Sequence, residues 1–157
     1  MKFNRRSILL GSLGLTIFTS SAIAANQTYV NARFGTSISY PAGVFSNANP
    51  APENGDGQSW KSNDGAELSV WGQSNAAAET PKSLLNSVSS DIPKVTYKRV
   101  GKHSMTVSGF NGETIIYHRA QFGKAGGIHS VELRYPAMLA KTYNPIAAAI
   151  ANSLTGP

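Results

Sequence analysis

The sequence predicts an α+β domain in which helices pack on an antiparallel sheet. Short runs rich in β-branched and aromatic residues fill the second half of the chain, and their links are too short for parallel crossovers. One amphipathic helical segment precedes these strands and another ends the chain. Hydrophobic residues make up 41% of the 157 residues and charged residues 14%, a composition typical of a globular domain and not of a disordered chain.

Residues 1–24 have the three-part pattern of a cleaved signal peptide. A basic start precedes an apolar stretch from Ile8 to Phe18, and small residues follow it. Ala22 and Ala24 place small side chains where signal peptidase requires them, so cleavage is predicted immediately before Ala25. The apolar stretch is too short to span a membrane.

Two export routes fit this signal. Arg5 and Arg6, followed after one residue by Ile8, resemble the twin-arginine motif. The general secretory route also requires positive charges at the start, so the pair can be incidental. By either route, the prediction is a single α+β domain of residues 25–157 in the periplasm.

Charge and cysteine content exclude several classes of function. Removal of the signal leaves eleven Lys and Arg against eight Asp and Glu, so the net charge falls from +6 to +3. Lys94, Lys98, Arg99 and Lys102 cluster, but strand alternation divides them between two faces, which predicts a solvated edge and no nucleic-acid partner. The chain contains no cysteine, so a disulfide, a thiolate metal site and a lipoprotein anchor are excluded.

The N-terminal part of the predicted domain is extended. Residues 29–34 and 36–40 read as two short extended pieces around Gly35, closed by Pro41. Residues 46–57, dense in Asn, Pro and Gly, are predicted to form a long loop.

A hairpin is predicted next, because two β-rich runs flank Asp64 and Gly65. If these two residues form the turn, Trp60 and Trp71 lie on one face of the hairpin as diagonal neighbours. Leu68 then lies on the other face with the remaining apolar residues.

The rest of the chain is predicted as a helix, four strands and a final helix. Thr80 is a candidate N-cap with Pro81 in the first turn of a helix over 79–91. The four strands form an antiparallel meander and the last helix carries apolar residues at helical spacing. These segments are predicted over 95–100, 103–108, 113–122, 128–135 and 139–154.

The run from Phe34 to Pro41 (FGTSISYP), with a central helix, antiparallel strands and a last helix, resembles the superfamily that groups PsbP, the Ran-binding Mog proteins and the periplasmic DcrB-like proteins. The blocks at 54–58, 64–68 and 70–72 are also similar to small exported bacterial proteins. The resemblance implies an α/β/α sandwich and a binding, accessory or assembly role. The metal-related role of photosystem members is not implied, because no ligand residues match.

The candidate partner-binding residues are Trp60 and Trp71 with Asn54 and Asp56 of the neighbouring loop. Tryptophan is enriched at binding hot spots, and a loop beside a rigid hairpin is a common site of recognition. The alternative is that both rings fill the core, because a small domain needs the area that large aromatic residues bury.

No metal, cofactor or catalytic site is predicted. His118 and His129 would share a face if the intervening turn were of even length, yet neither they nor His103 have the spacing of a metal site. Asn54 and Asp56 begin an alternation of oxygen ligands like that of a calcium loop, but the twelfth position is a glycine. No serine elbow, carboxylate pair or phosphate loop is present.

The sequence therefore predicts a periplasmic, non-enzymatic protein that binds a protein or an envelope component, with an immunity or assembly factor as a narrower form. Two other interpretations stay open. One is a carrier that holds a small ligand between sheet and helices, and the other is a hydrolase with dispersed catalytic residues.

Overall fold

The computed structural model describes residues 25–157, so the predicted signal peptide, with Ala22 and Ala24, lies outside the described residues, and Ala25 is their exposed first residue. This part of the chain forms nine strands and two α-helices. The strands are β1 (Asn26–Val30), β2 (Ser37–Pro41), β3 (Asn47–Ala48), β4 (Gly57–Lys61), β5 (Glu67–Ser74), β6 (Lys94–Val100), β7 (Ser104–Asn111), β8 (Thr114–Phe122) and β9 (Gly127–Pro136). The helices are α1 (Pro81–Ser90) and α2 (Ala140–Asn152), and a short 3₁₀ turn, Ala137–Leu139, precedes α2.

Seven strands form one antiparallel sheet in the order β3-β4-β5-β9-β8-β7-β6. The last four strands of the chain form the predicted meander, and β9 then pairs with the full length of β5. The sheet thus joins two chain segments that lie far apart in sequence. Strands β1 and β2 form a separate two-stranded ribbon, which a bridge from Ser37 to Thr155 ties to the C-terminal segment.

Local signals account for α1. The side-chain oxygen of Thr80 accepts a hydrogen bond from the backbone N–H of Ser83, and the Ser83 hydroxyl accepts one from the backbone N–H of Thr80. This reciprocal cap satisfies two N–H groups that would otherwise lack partners. Leu85 is buried against the sheet, with Leu84 and Val88 half-buried beside it. The predicted cap and apolar face are therefore confirmed.

The two helices cover opposite faces of the sheet. Alternate residues of β9 supply both cores: Val131 and Leu133 pack with α2, whereas Ile128 packs with α1. Helix α1 lies over β6, β7 and β8, and α2 lies over β8, β9 and β2. The predicted α+β class, with helices on an antiparallel sheet in an α/β/α arrangement, is confirmed.

The predicted turn of the β4–β5 hairpin is wrong by one residue, and the correction changes which side chains share a face. Ser62 pairs with Ala66 through a 2.9 Å backbone hydrogen bond, so the loop contains three residues. The Ser62 hydroxyl donates to Asp64 (2.6 Å) and accepts from the N–H of Ala66 (2.8 Å), which fixes this geometry. Gly65, with φ of +92°, occupies the left-handed region that such a loop requires.

The register now pairs Trp60 with Leu68 and Trp71 with Gly57. Because side chains alternate along a strand, Trp60 and Trp71 project from opposite faces of the sheet. The prediction that they are neighbours on one face is therefore wrong, and a three-residue loop in place of a two-residue loop is the physical reason.

Two predictions for the N-terminal part need correction. The first extended piece was predicted over 29–34, but the strand runs from Asn26 to Val30. It ends at Val30 because Asn31 starts a turn in which its C=O accepts from the N–H of Gly35 (2.8 Å). Residues 46–57 are mostly loop, as predicted, but β3 within them pairs with the edge of β4. No helix within 25–157 is long and apolar enough to cross a membrane.

Candidate functional site

Trp60, the first of the predicted recognition residues, belongs to the core. Its side chain is 6% exposed and lies edge-on to Tyr29, with ring centroids 5.3 Å apart, and tilted against Tyr40 at 4.7 Å. These three rings close the space between the ribbon and the large sheet. For Trp60 the alternative interpretation, that the ring fills the core, is the one the structure supports.

Trp71 lies on the opposite face, where α1 covers β6 to β8 but not β4 or β5. It is half-buried, and its ring meets that of His118 edge-to-face at 5.3 Å. Its cross-strand partner on β9, Ser130, is buried. Farther along the same face, Ser69, Glu132 and Arg134 are at least partly exposed. We call Ser69, Trp71, Glu132 and Arg134 the Trp71 face.

Polar contacts link two residues of the Trp71 face to His118. The guanidinium of Arg134 donates from Nε to Oε1 of Glu132 at 2.6 Å, and Nδ1 of His118 lies 3.4 Å from Oε2 of Glu132, at the outer limit of a hydrogen bond. Burial raises the pKa of Glu132, but His118 and Arg134 outweigh that effect and hold the pKa below its ordinary value. Glu132 is therefore ionised at neutral pH, with the Arg134 guanidinium bonded to one carboxylate oxygen and the His118 ring beside the other.

The imidazole of His118 is enclosed on this face. His118 is 5% exposed, and within residues 25–157 both of its ring nitrogens are buried without a hydrogen-bond partner. A His and carboxylate pair can serve as an acid–base unit where it reaches a nucleophile or a substrate. In this structure the Trp71 ring packs against the imidazole. The sequence offered only weak signals for this cluster, because its members come from three strands.

Asn54 and Asp56 lie at the end of the long loop, next to β5. The C=O of Asp56 accepts from the N–H of Gly72 (2.8 Å), so the structure brings this loop beside the strand that carries Trp71. The Asn54 amide donates to the Asp56 carboxylate (2.7 Å) and the Asn54 C=O accepts from Arg33 (2.6 Å). Their role in partner binding stays a prediction, and Trp60 lies on the other side of the sheet.

The same contacts explain the calcium-like spacing without an ion. Asn54 and Asp56 bond each other, and the amide of Gln58 donates to the C=O of Asn49 (3.0 Å). Gly65, at the twelfth position, belongs to the hairpin turn. Among residues 25–157, no three His, Cys, Asp or Glu side chains lie close enough to hold a metal ion.

The three histidines do not lie together. The last pair between β8 and β9 joins Phe122 to Ile128, so an odd number of residues, five, separates these partners. His129 therefore projects to the α2 side while His118 projects to the α1 side. His129 is 1% exposed, with Nδ1 2.7 Å from the hydroxyl of Thr36, and burial lowers its pKa. His103 is exposed in the link before β7.

The fold is PsbP-like. The chain is similar to the solution structure of cyanobacterial PsbP (CyanoP) from Synechocystis sp. PCC 6803, with a TM-score of 0.59 and 17% identity over 94% of this chain and 99% of that chain. No protein-family model and no curated protein matches the sequence. The resemblance to PsbP is confirmed for the fold, and the resemblance to Mog, DcrB-like and small exported proteins stays a prediction.

Proposed function

We propose that this chain is an exported, non-enzymatic accessory protein that holds a partner on the Trp71 face. The observation that carries the proposal is a half-buried tryptophan ring on a part of the sheet that neither helix covers. Tryptophan is among the commonest hot-spot residues. The Trp71 ring already packs against His118, so it loses little conformational freedom on binding.

The surroundings of the ring also suit an interface. Hot spots are usually ringed by polar contacts that exclude water once a partner is bound. Ser69 and the Glu132–Arg134 pair supply such a polar border around Trp71. Arg134 is exposed and can reach a partner carboxylate while it keeps its bond to Glu132. We therefore favour a protein partner, or an envelope component that presents both an apolar group and a carboxylate.

Export is the second part of the proposal. The signal-peptide pattern of residues 1–24, with small residues before Ala25, supports delivery to the periplasm and removal of the signal. A holding role outside the cytoplasm is compatible with an immunity or assembly factor. The identity of the partner decides between those narrower forms.

The test is affinity capture from envelope extracts of the protein's own cells, with the tagged mature chain as bait. Three baits are compared: the wild type, Trp71→Ala, and Val30→Ala as a control, because Val30 is 59% exposed on the β1–β2 ribbon, which packs on the opposite side of the sheet. A partner retained by the wild type and Val30→Ala but lost by Trp71→Ala supports the proposal. A partner retained equally by all three baits contradicts the assignment to the Trp71 face.

A small-ligand carrier is the second candidate, and one observation favours it. A cleft of about 380 Å³ lies between the β1–β2 ribbon and α2, with Pro41, Pro145, Ile146 and Ile150 among its mostly apolar lining residues. A ligand that binds only the folded chain raises its melting temperature. A rise with a small apolar compound, lost when Ile146 is replaced by Asn, would support the carrier.

A further inference from the structure

The outer edge strand of the sheet, β6, carries basic residues that no carboxylate neutralises. No Asp or Glu occurs between Ile92 and Gly112. Within residues 25–157 the ion pairs involve Lys61, His118 and Arg134 only. The cations on and beside β6 therefore have no acidic partner within 4 Å; they are Lys94, Lys98, Arg99, Lys102 and, on β8, Arg119.

A bulge between Val95 and Tyr97 arranges these charges on both faces of the edge. Lys94 pairs with Phe110 and Arg99 with Thr106, so both side chains lie on the α2 side. Lys98 pairs with Val107, whose side chain belongs to the core under α1, and therefore lies on the opposite side. An unbroken alternation would instead have placed Lys94 with Lys98.

The α2 side of this edge is also aromatic and rich in donors. Tyr97, which is 46% exposed, lies beside a cleft of about 270 Å³ that Tyr117 and Asn144 also line. Burial raises the pKa of Tyr117, as does neighbouring Tyr97, so its hydroxyl stays protonated at neutral pH. Two residues after Tyr117 on β8, and on the same face, Nη1 of Arg119 lies 3.4 Å from the Thr106 hydroxyl. The Nε of Arg119 is buried without a hydrogen-bond partner in the described chain.

We propose that β6 is a docking edge for an extended acidic segment of a partner protein, which adds to the sheet as an eighth strand. Addition of a strand to an exposed edge lets the main chain supply hydrogen bonds and alternate side chains supply specificity. The side chains of an added strand reach both faces of the sheet, and so can meet Arg99 on one side and Lys98 on the other. A flat or helical polyanion reaches only one of these faces at a time.

The edge lysines also have a protective role, and that role is compatible with the proposal. Lysines and bulges on edge strands prevent pairing between copies of the same chain. The charges that repel a second basic edge attract an acidic one. The surface lies four strands, or about 19 Å at the usual strand spacing, from β5, so the proposal does not depend on the Trp71 face.

The probe is an eight-residue peptide of alternating pairs of glutamate and threonine, which carries acidic side chains on both faces when extended. Its binding is followed by amide shifts in NMR spectra of the ¹⁵N-labelled mature chain. We expect the shifts to concentrate in β6, with no binding of the same peptide in which lysine replaces glutamate. Two N-methylated versions, blocked on odd or on even residues, test the main-chain bonds, and one of them should fail to bind.

Charge-reversal variants distinguish binding at the β6 edge from a general effect of the protein's net charge. The double variant Lys98→Glu/Arg99→Glu should weaken binding about tenfold, since each exposed pair turns from attraction to repulsion. Lys82→Glu/Lys124→Glu, which changes the net charge equally at exposed sites on α1 and in a loop, should bind as the wild type does. The proposal is overturned if both doubles behave alike, if both N-methylated peptides bind normally, or if an eight-nucleotide thymidylate strand or anionic lipid vesicles bind β6 more tightly.

Discussion

Replacement of Trp60 by alanine is the sharpest test of the corrected hairpin register. Trp60 is almost fully buried and contacts two aromatic rings, and truncation of a buried tryptophan costs about 3–5 kcal/mol. Domains of this size are stabilised by only about 5–15 kcal/mol. With a urea dependence of about 1–3 kcal/mol per molar, the unfolding midpoint should fall by about 2 M.

Trp71→Ala is the matched variant, because it removes the same side chain from the other face of the same hairpin. Its ring is half-buried and lies outside both cores, so the expected loss is about 1–2 kcal/mol. Urea unfolding of both variants, followed by far-ultraviolet circular dichroism, measures the difference without relying on tryptophan fluorescence. Equal losses for the two variants, or a larger loss for Trp71→Ala, would refute the assigned faces.

Three further predictions concern single contacts. Hydrogen bonds from Ser62 and Tyr143 lower the pKa of Asp64 in the folded chain. The stability that these bonds contribute is therefore present above about pH 4 and is lost as the pH falls. Urea unfolding midpoints measured between pH 6 and 3 should fall more steeply for the wild type than for Asp64→Asn. Burial lowers the pKa of His129, so its imidazole binds a proton more readily in the unfolded chain. The free energy of unfolding should therefore decrease as the pH falls below about 6.5. An NMR titration that places the His129 pKa at or above 6.5 would contradict this prediction. Thr80→Ala removes the α1 cap and should cost about 1 kcal/mol, whereas Thr80→Ser, which keeps the hydroxyl, should cost much less by the same urea assay.

Local chemistry made some elements predictable. Thr80 and Pro81 mark the start of α1 from sequence alone, because capping depends on residues within one turn. The short links between β6, β7, β8 and β9 likewise predict an antiparallel meander. The pairing of β9 with β5 was not predicted, since it joins segments some sixty residues apart and leaves no local pattern.

The residues that share a face in the candidate site depend on strand register, which the sequence pattern does not fix. Ser62 and Asp64 set a three-residue loop through side-chain hydrogen bonds, and this single residue of register moved Trp71 away from Trp60. The bulge before Tyr97 similarly brought Lys94 and Arg99 to one face. Sequence alternation predicted that the basic residues divide between two faces, but not which of them share a face.

Site-specific photo-cross-linking in intact cells shows whether the Trp71 face contacts a partner. A photoreactive phenylalanine analogue replaces Ser69 on the Trp71 face or, as a control, Asn86 on the exposed side of α1. We expect one discrete adduct from position 69 in the periplasm and none from position 86. No adduct from position 69, or the same adducts from both positions, would contradict a partner-binding role for the Trp71 face.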